Sequence, residues 1–229
     1  MTAARRGTLR RTARALAAAV FALLGGAQGA SALVISEVMF NPNGPDDGRE
    51  WIELFNDSGS AVDLSDYSLG WGGTDYTFGT LALPSVMLAS GAYYVIGGPV
   101  SNANNGNPTF DLVANFAPDL QNPAVFSDGI ALYQTGVTNP IHVVIYGFFN
   151  ANGLVDETGA PGAVDVPFPG AAGTTLVWNG TSWSGGNAAS PGSGSLVVVP
   201  EVKPAMLMVL GLGGMAFLGT PRRRAKRSA

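Results

Sequence analysis

No cysteine occurs in the 229 residues of this chain, histidine occurs once, and between Leu33 and Val199 the only basic side chain is Arg49. The missing cysteine removes disulfides, thiolate zinc sites, thiol nucleophiles and cysteine-held iron–sulfur clusters together. Stability then has to come from an ordinary apolar core, which a body of about 165 residues is long enough to build as one domain. All of the 16 acidic residues except Glu201 fall in that same stretch. It is strongly anionic, repels phosphate backbones and offers no basic groove, so nucleic acid is disfavoured as a partner. Divalent cations or basic partners suit it better. Charged residues are only 12% of the sequence, against 32 glycines and 15 prolines, a balance that argues against long solvated helices. The glycine-rich stretches carry neither a P-loop lysine nor a dinucleotide fingerprint, and no serine sits in a G-x-S-x-G elbow.

The basic residues other than Arg49 gather at the two ends. Arg5, Arg6, Arg10, Arg11 and Arg14 precede the apolar run from Ala15 to Leu24 and the small-residue zone GGAQGASA. This is the pattern of a secretory signal peptide, residues 1–32, with Ala30 and Ala32 as the small-x-small pair and cleavage by signal peptidase after Ala32. At the other end, Pro200, Glu201 and Val202 are followed by an uncharged run from Pro204 to Thr220 and then by Arg222, Arg223, Arg224, Lys226 and Arg227. As a helix the run reaches about 25 Å, a short but feasible span when Lys203 and the arginines snorkel. The terminal basic cluster stays cytoplasmic by the positive-inside rule, which places everything before it outside.

This ordered triplet resembles the PEP-CTERM sorting signal of Gram-negative bacteria, in which a Pro-Glu-Pro motif, a short transmembrane helix and a basic cluster are recognised by an exosortase that cleaves near the motif. Val202 stands where that family has its second proline, and Pro204 follows two residues later. The resemblance implies export across the inner membrane, then anchoring by the tail or, after processing, placement at the cell surface or outside the cell. A plain single-pass anchor that is never cut is the other reading of the same residues.

Between the ends, short runs rich in Val, Ile, Leu, Phe and Tyr alternate with clusters of Gly, Asn, Asp, Ser and Pro. That rhythm predicts an all-β sandwich. The expected strands are Leu33 to Phe40, Glu50 to Asn56, Ser60 to Leu64, Tyr67 to Trp71, Asp75 to Phe78, Ala92 to Ile96, Gly129 to Tyr133, His142 to Phe148 and Thr174 to Trp178. In EWIELFN, Ile52 and Leu54 share one face, and Trp51, Glu53 and Phe55 share the other, which is expected to line a sheet edge or a partner. The sandwich is expected over 33–184, and the Gly/Ser/Asn-rich stretch 185–199 is read as a flexible stalk before the sorting tail, 200–229.

An opening Ile-Ser-Glu-Val strand, an Asn-Pro turn, Glu50-Trp51-Ile52-Glu53-Leu54, Asn56, Val62-Asp63-Leu64 and Tyr67-Ser68-Leu69 follow one another in the order found in lamin-tail domains. LALPSVMLASGAYYVIGG, SDGIALYQTG, HVVIYG and TSWSGGNAASPGSGS are similar to later segments of the same family. The resemblance runs from Leu33 to about Ser195, with Ser101 to Asn122 as a divergent Asn-rich insertion. It implies an immunoglobulin-like sandwich, flanked here by a signal helix and a C-terminal transmembrane helix at about 204–220, and a binding or structural module in place of a chemistry.

Weighed on their own, the residues give a few candidate sites. Asn41, Asn43, Asp46, Asp47, Glu50 and Glu53 supply hard oxygen ligands of the kind Ca2+ takes, although their spacing matches no known calcium loop, and a solvated turn plus strand carboxylates is the plainer reading. Glu37 with Glu50 or Glu53 could form a paired-carboxylate hydrolase site. His142, in an apolar run, reads as a packing residue more than as a base. Trp51, Trp71, Trp178 and Trp183 could make a stacking platform for sugars, though sandwich tryptophans more commonly pack inside. No catalytic residue and no cofactor are expected, with Ca2+ the one candidate ion. The expectation is an exported, non-catalytic module for adhesion, binding or structure in an extracellular matrix or biofilm layer, with polysaccharide or surface proteins as partners. The alternative is an exported metal-dependent hydrolase or an accessory module of one.

Overall fold

In a computed structural model describing residues 33–123, 125–194 and 196, the chain is a β-sandwich. The strands are β1 (Leu33–Met39), β2 (Trp51–Asn56), β3 (Val62–Asp63), β4 (Tyr67–Trp71), β5 (Gly79–Ala82), β6 (Met87–Leu88), β7 (Tyr93–Gly97), β8 (Leu112–Val113), β9 (Asp128–Gln134), β10 (His142–Tyr146), β11 (Thr175–Trp178) and β12 (Trp183–Asn187), with single 3-10 turns at Leu64–Asp66 and Ala103–Asn105. One sheet runs β12-β11-β1-β2-β7-β8, the facing sheet β10-β9-β4-β5, and β3 pairs with β6 alone. Pairing is antiparallel except between β7 and β8. Among the described residues no helix is long and apolar enough to cross a membrane. The expected signal peptide, 1–32, and the expected sorting tail, 200–229, lie wholly outside the described residues.

The main core fills the space between the sheets with Ile35, Ile52, Leu54 and Ile96 from one side and Leu69, Ile130, Leu132 and Val144 from the other. Contacts across the sandwich fix how the sheets lie. The Ile35 amide donates to His142 Nδ1 at 3.3 Å, and the Phe40 and Tyr146 rings lie 4.7 Å apart. β10 therefore runs alongside β1 in the same direction, His142 by Ile35 and Tyr146 by Phe40.

A bulge in β1 departs from strict alternation. Leu33 and Ile35 point into the core, the register with β2 shifts between Ile35 and Glu37, and it is then Val38 and Phe40 that face inward. The extra residue turns Glu37 to the outer face, where a plain period of two would have put it in the core beside Ile35. Without the bulge, a carboxylate would be buried among aliphatic side chains at a cost of several kcal/mol, of the order found for uncompensated buried charge.

Both faces of β2 are buried, unlike the half-open strand expected. The strand is central, and its outer face carries a second cluster of Met39, Trp51 and Val95, closed over by Phe110 and Ala189. The Asn-rich insertion supplies part of that cover. Trp51 Nε1 donates to the Asn105 carbonyl at 2.9 Å, while the fully buried Asn105 amide donates to the carbonyls of Arg49 and Val100. The facing sheet is covered likewise by Tyr76 and Leu154, packed on Ala131, Val143 and Ile145.

The expected strand at Asp75 to Phe78 is a turn, and the strand lies four residues on. Asp75 Oδ1 accepts from both the backbone and the hydroxyl of Thr77, a local bond that competes with sheet pairing, and Tyr76 has a positive φ of 61°. β5 opens on Gly79, where a Cβ would overlap the Trp71 indole. Residues 185–187 belong to β12 and not to a stalk, since they continue the pairing with β11. Residues beyond them then cross the outer face of the six-stranded sheet.

Candidate functional site

Glu50 and Glu53 are three residues apart on one extended segment, so their side chains leave opposite faces. This separates the expected acidic constellation into two places. Glu50 lies at the mouth of the sandwich beneath the 118–122 loop, whereas Glu53 lies on the outer face of the six-stranded sheet.

At the mouth, Glu50 is 3% exposed; its Oε2 accepts from the Leu120 amide at 2.9 Å, and its Oε1 is buried with no hydrogen-bond partner. Burial, with Asp119, Asp46 and Asp47 adding repulsion, pushes its pKa up to about 9 even though the Leu120 N–H opposes the rise. Glu50 is thus a neutral acid at pH 7. Asp46 Oδ2 accepts from Asn122 Nδ2 at 2.6 Å and Asp47 Oδ1 from Asn115 Nδ2 at 2.7 Å. Both aspartates tie the insertion down onto the 41–50 loop. An open depression of about 390 Å³ lies here, lined by Asp46, Phe78 and residues 118–122. Arg49, on the same loop, turns its guanidinium to the Pro45 carbonyl.

On the outer face, Glu37 and Glu53 are direct cross-strand partners. Glu37 accepts from the Thr175 hydroxyl, the Ser190 amide and the Ser190 hydroxyl; Glu53 accepts from the Ser36 hydroxyl at 2.7 Å and the Gly192 amide at 2.6 Å. Burial raises both pKa values. Glu53 rises to about 7, held back by Ser36 and Gly192 and lifted further by Glu37 and Asp111, and Glu37 rises against the pull of Ser190 and Thr175. The two carboxyls fasten residues 190–192 across the sheet as a strap. A substrate would have to displace that strap to reach them.

Asp46, Asp47, Glu50 and Glu53 consequently do not meet at one point. Among the described residues no group of three or more His, Asp or Glu side chains is placed to hold a metal ion. Asn41 passes its carbonyl to the Gly173 amide, and Asn43 takes a backbone bond to Asn104. The paired carboxylates that do meet are Glu37 and Glu53; Glu37 with Glu50 is ruled out by the opposite facing of Glu50.

His142 is buried against Trp178 and Trp183, with ring centroids 4.8 and 5.6 Å away, and burial pushes its pKa down to about 4. As a neutral ring accepting from Ile35 it is a joint between the sheets. Trp51, Trp71 and Trp183 are buried and Trp178 is half-buried; their indole N–H groups, where bonded, go to the carbonyls of Asn105, Pro118 and Val143. They form no open platform. The exposed aromatics are phenylalanines, Phe78, Phe126, Phe148, Phe149 and Phe168, and the sequence reading passed over them. The doublet Phe148-Phe149 extends past the strand pattern of HVVIYG into a turn, which was the available signal. The residues expected to direct sorting and cleavage, Pro200, Glu201, Val202, Ala30 and Ala32, and the basic cluster Arg222, Arg223, Arg224, Lys226 and Arg227, lie outside the described residues.

The sequence model of the lamin tail domain matches residues 27–148. Strands β11 and β12 fall beyond that match, yet β11 completes the pairing of β1. No curated protein matches the chain.

Proposed function

The chain belongs to the lamin tail domain family, and from that premise we propose that it is an exported, non-catalytic β-sandwich of an extracellular matrix or cell surface, carried there by its signal peptide and sorted by its PEP-CTERM-like tail. The observation that carries the reading is the fate of the carboxylates. Glu37 and Glu53, cross-strand partners on the outer face, serve as acceptors for the strap at Ser190 and Gly192, and Asp46 and Asp47 hold asparagines of the insertion. Acids spent on positioning backbone support a binding or structural module. The anionic body, free of basic residues apart from Arg49, suits a partner that is neutral or cationic, such as a polysaccharide or a basic surface protein.

The test is the intact mass and cell fraction of the mature protein from cells with and without an exosortase, for wild type and Glu201→Ala. A product starting after Ala32 and ending near Pro200, formed only with the enzyme and Glu201 present, is the expected result. An uncut membrane form in every strain would reduce the tail to an anchor, and retention in the cytoplasm would overturn the export reading.

A further inference from the structure

The described chain begins and ends at one pole of the sandwich. Leu33 pairs with Asn56, Phe55 pairs with Tyr93, and Gly194 packs against the Tyr93 ring. At the other end of the same strands lie Met39, Trp51 and Gly97, joined by the 41–50 loop. Tyr146 reaches this far pole beside Phe40, so Phe148 and Phe149 project beyond it, as does Phe126, just before the Asp128 that pairs with Tyr146. Phe126 and Phe149 meet edge to face at 5.5 Å, and Phe148 and Phe168 at 6.1 Å. They are nonetheless 49%, 54%, 53% and 78% exposed respectively. Four exposed phenylalanines in two contacting pairs, linked through the adjacent positions 148 and 149, form an apolar surface of the kind that marks interaction sites.

Carboxylates lie on the adjoining loops, where Asp46 and Asp119 line the depression together with Phe78. Gly147, next to Phe148, packs against Pro123, and Tyr146 donates to the Gln121 carbonyl, so the loop carrying Asp119 joins the aromatic pairs to Asp46, which holds Asn122. Asp119 and Asp47 are exposed and Asp46 is half-buried, against the one guanidinium of Arg49. A second copy would bring the same carboxylates against these, and an anionic lipid surface or nucleic acid would be repelled by them as well. Charge complementarity selects a cationic partner, and the phenylalanines require apolar side chains on it.

We infer that the pole opposite the chain ends, formed by Phe126, Phe148, Phe149 and Phe168 with Asp46 and Asp119 on the adjoining loops, docks a cationic polypeptide segment that also carries apolar side chains. The inference rests on the reading of the chain as a binding module, and it names the surface and the partner class. The phenylalanines supply the anchors, and the carboxylates set orientation and encounter rate. A tail that emerges at the opposite pole leaves this one facing away from any attachment point.

The test uses the full chain in nonionic detergent micelles, with empty micelles as the blank, and a fluorescent peptide of alternating lysine and leucine read by anisotropy. Saturable binding is expected, weakened about tenfold or more by the double variant Phe148→Ser/Phe149→Ser and by Asp46→Asn/Asp119→Asn, and weakened again as NaCl rises from about 50 to about 500 mM. Unchanged thermal melting of each variant shows that the loss is not unfolding. Binding that neither variant alters overturns the proposal, as does an all-lysine peptide bound equally well. Preference for phosphatidylglycerol vesicles or for a neutral glucan through the same phenylalanines also overturns it, by assigning the surface to another class of partner. The assay does not depend on processing, so a chain that is exported and cut normally yet binds no peptide refutes this inference alone.

Discussion

Glu50 shows how much one buried acid can bias this protein. Its folded-state pKa of about 9 stands above the ordinary carboxylate value of 4.5, so the folded state holds a proton that the unfolded chain releases. The stability this supplies is fully present below about pH 4.5 and is lost as pH rises toward 9. Glu50→Gln keeps the shape and the Leu120 contact without a titrating proton. Urea midpoints should therefore show the variant level with or slightly below wild type at pH 5 and above it by about 2 kcal/mol or more at pH 9. A constant difference across that range would mean that Glu50 is solvated. Asn105 is the corresponding neutral case. Its side chain satisfies two carbonyls beneath the insertion, and Asn105→Ala should cost about 1–3 kcal/mol by leaving them unpaired, read from the same midpoints.

At the scale of the element, the segment after β12 makes the sharpest claim. Composition alone reads Gly185 to Ser195 as a stalk, because Gly, Ser and Asn have little to bury. What orders it is supplied from far away, by Glu37 and Glu53, about 140 to 150 positions earlier in the chain. Amide hydrogens of Ser190 and Gly192 should then exchange as slowly as interior amides of β1, within a factor of about ten, in hydrogen-exchange measurements; exchange in seconds would restore the stalk. The same distinction explains what was legible. β1, β2, β4, β7, β9, β10 and β11 announce themselves through local runs of β-branched and aromatic residues. β6 and β8 are two residues each, β12 reads Trp-Ser-Gly-Gly-Asn, and β5 begins on a glycine, so pairing partners, and not local preference, make these strands. The opposite facing of Glu50 and Glu53 followed from strand period alone and could have split the metal candidate at once. The outward turn of Glu37 could not, because it depends on a bulge that no residue near Ser36 signals.

The whole molecule carries a consistent set of displaced acids. Glu50, Glu53, Asp128 and Asp165 are raised by burial to about 9, 7, 6 and 6, while His142 is lowered to about 4. The raised acids contribute stability that falls away as pH climbs through those values. The neutral histidine contributes stability present above about 6.5 that is lost as pH falls through 4. Asp63 and Asp156, whose pKa values are lowered by hydrogen bonds to Ser65 and Thr158, also lose their contribution in strong acid. The midpoint of thermal unfolding followed by circular dichroism from pH 3 to 9 should therefore be highest near about pH 4 and decline steadily toward 9, because several raised acids outweigh one histidine above that point; a maximum at pH 8 would contradict the burial of these groups. Finally, the placement of Leu33 on β1 and of Gly194 beside Tyr93 of β7, two strands away at the same pole, has an architectural use. Strands lie about 5 Å apart, so the entry and exit points are separated by roughly 10 Å, the span of an ordinary surface turn. The sandwich can thus be spliced whole into a loop of an unrelated host, as a cassette that leaves the host's own chain path almost undisturbed.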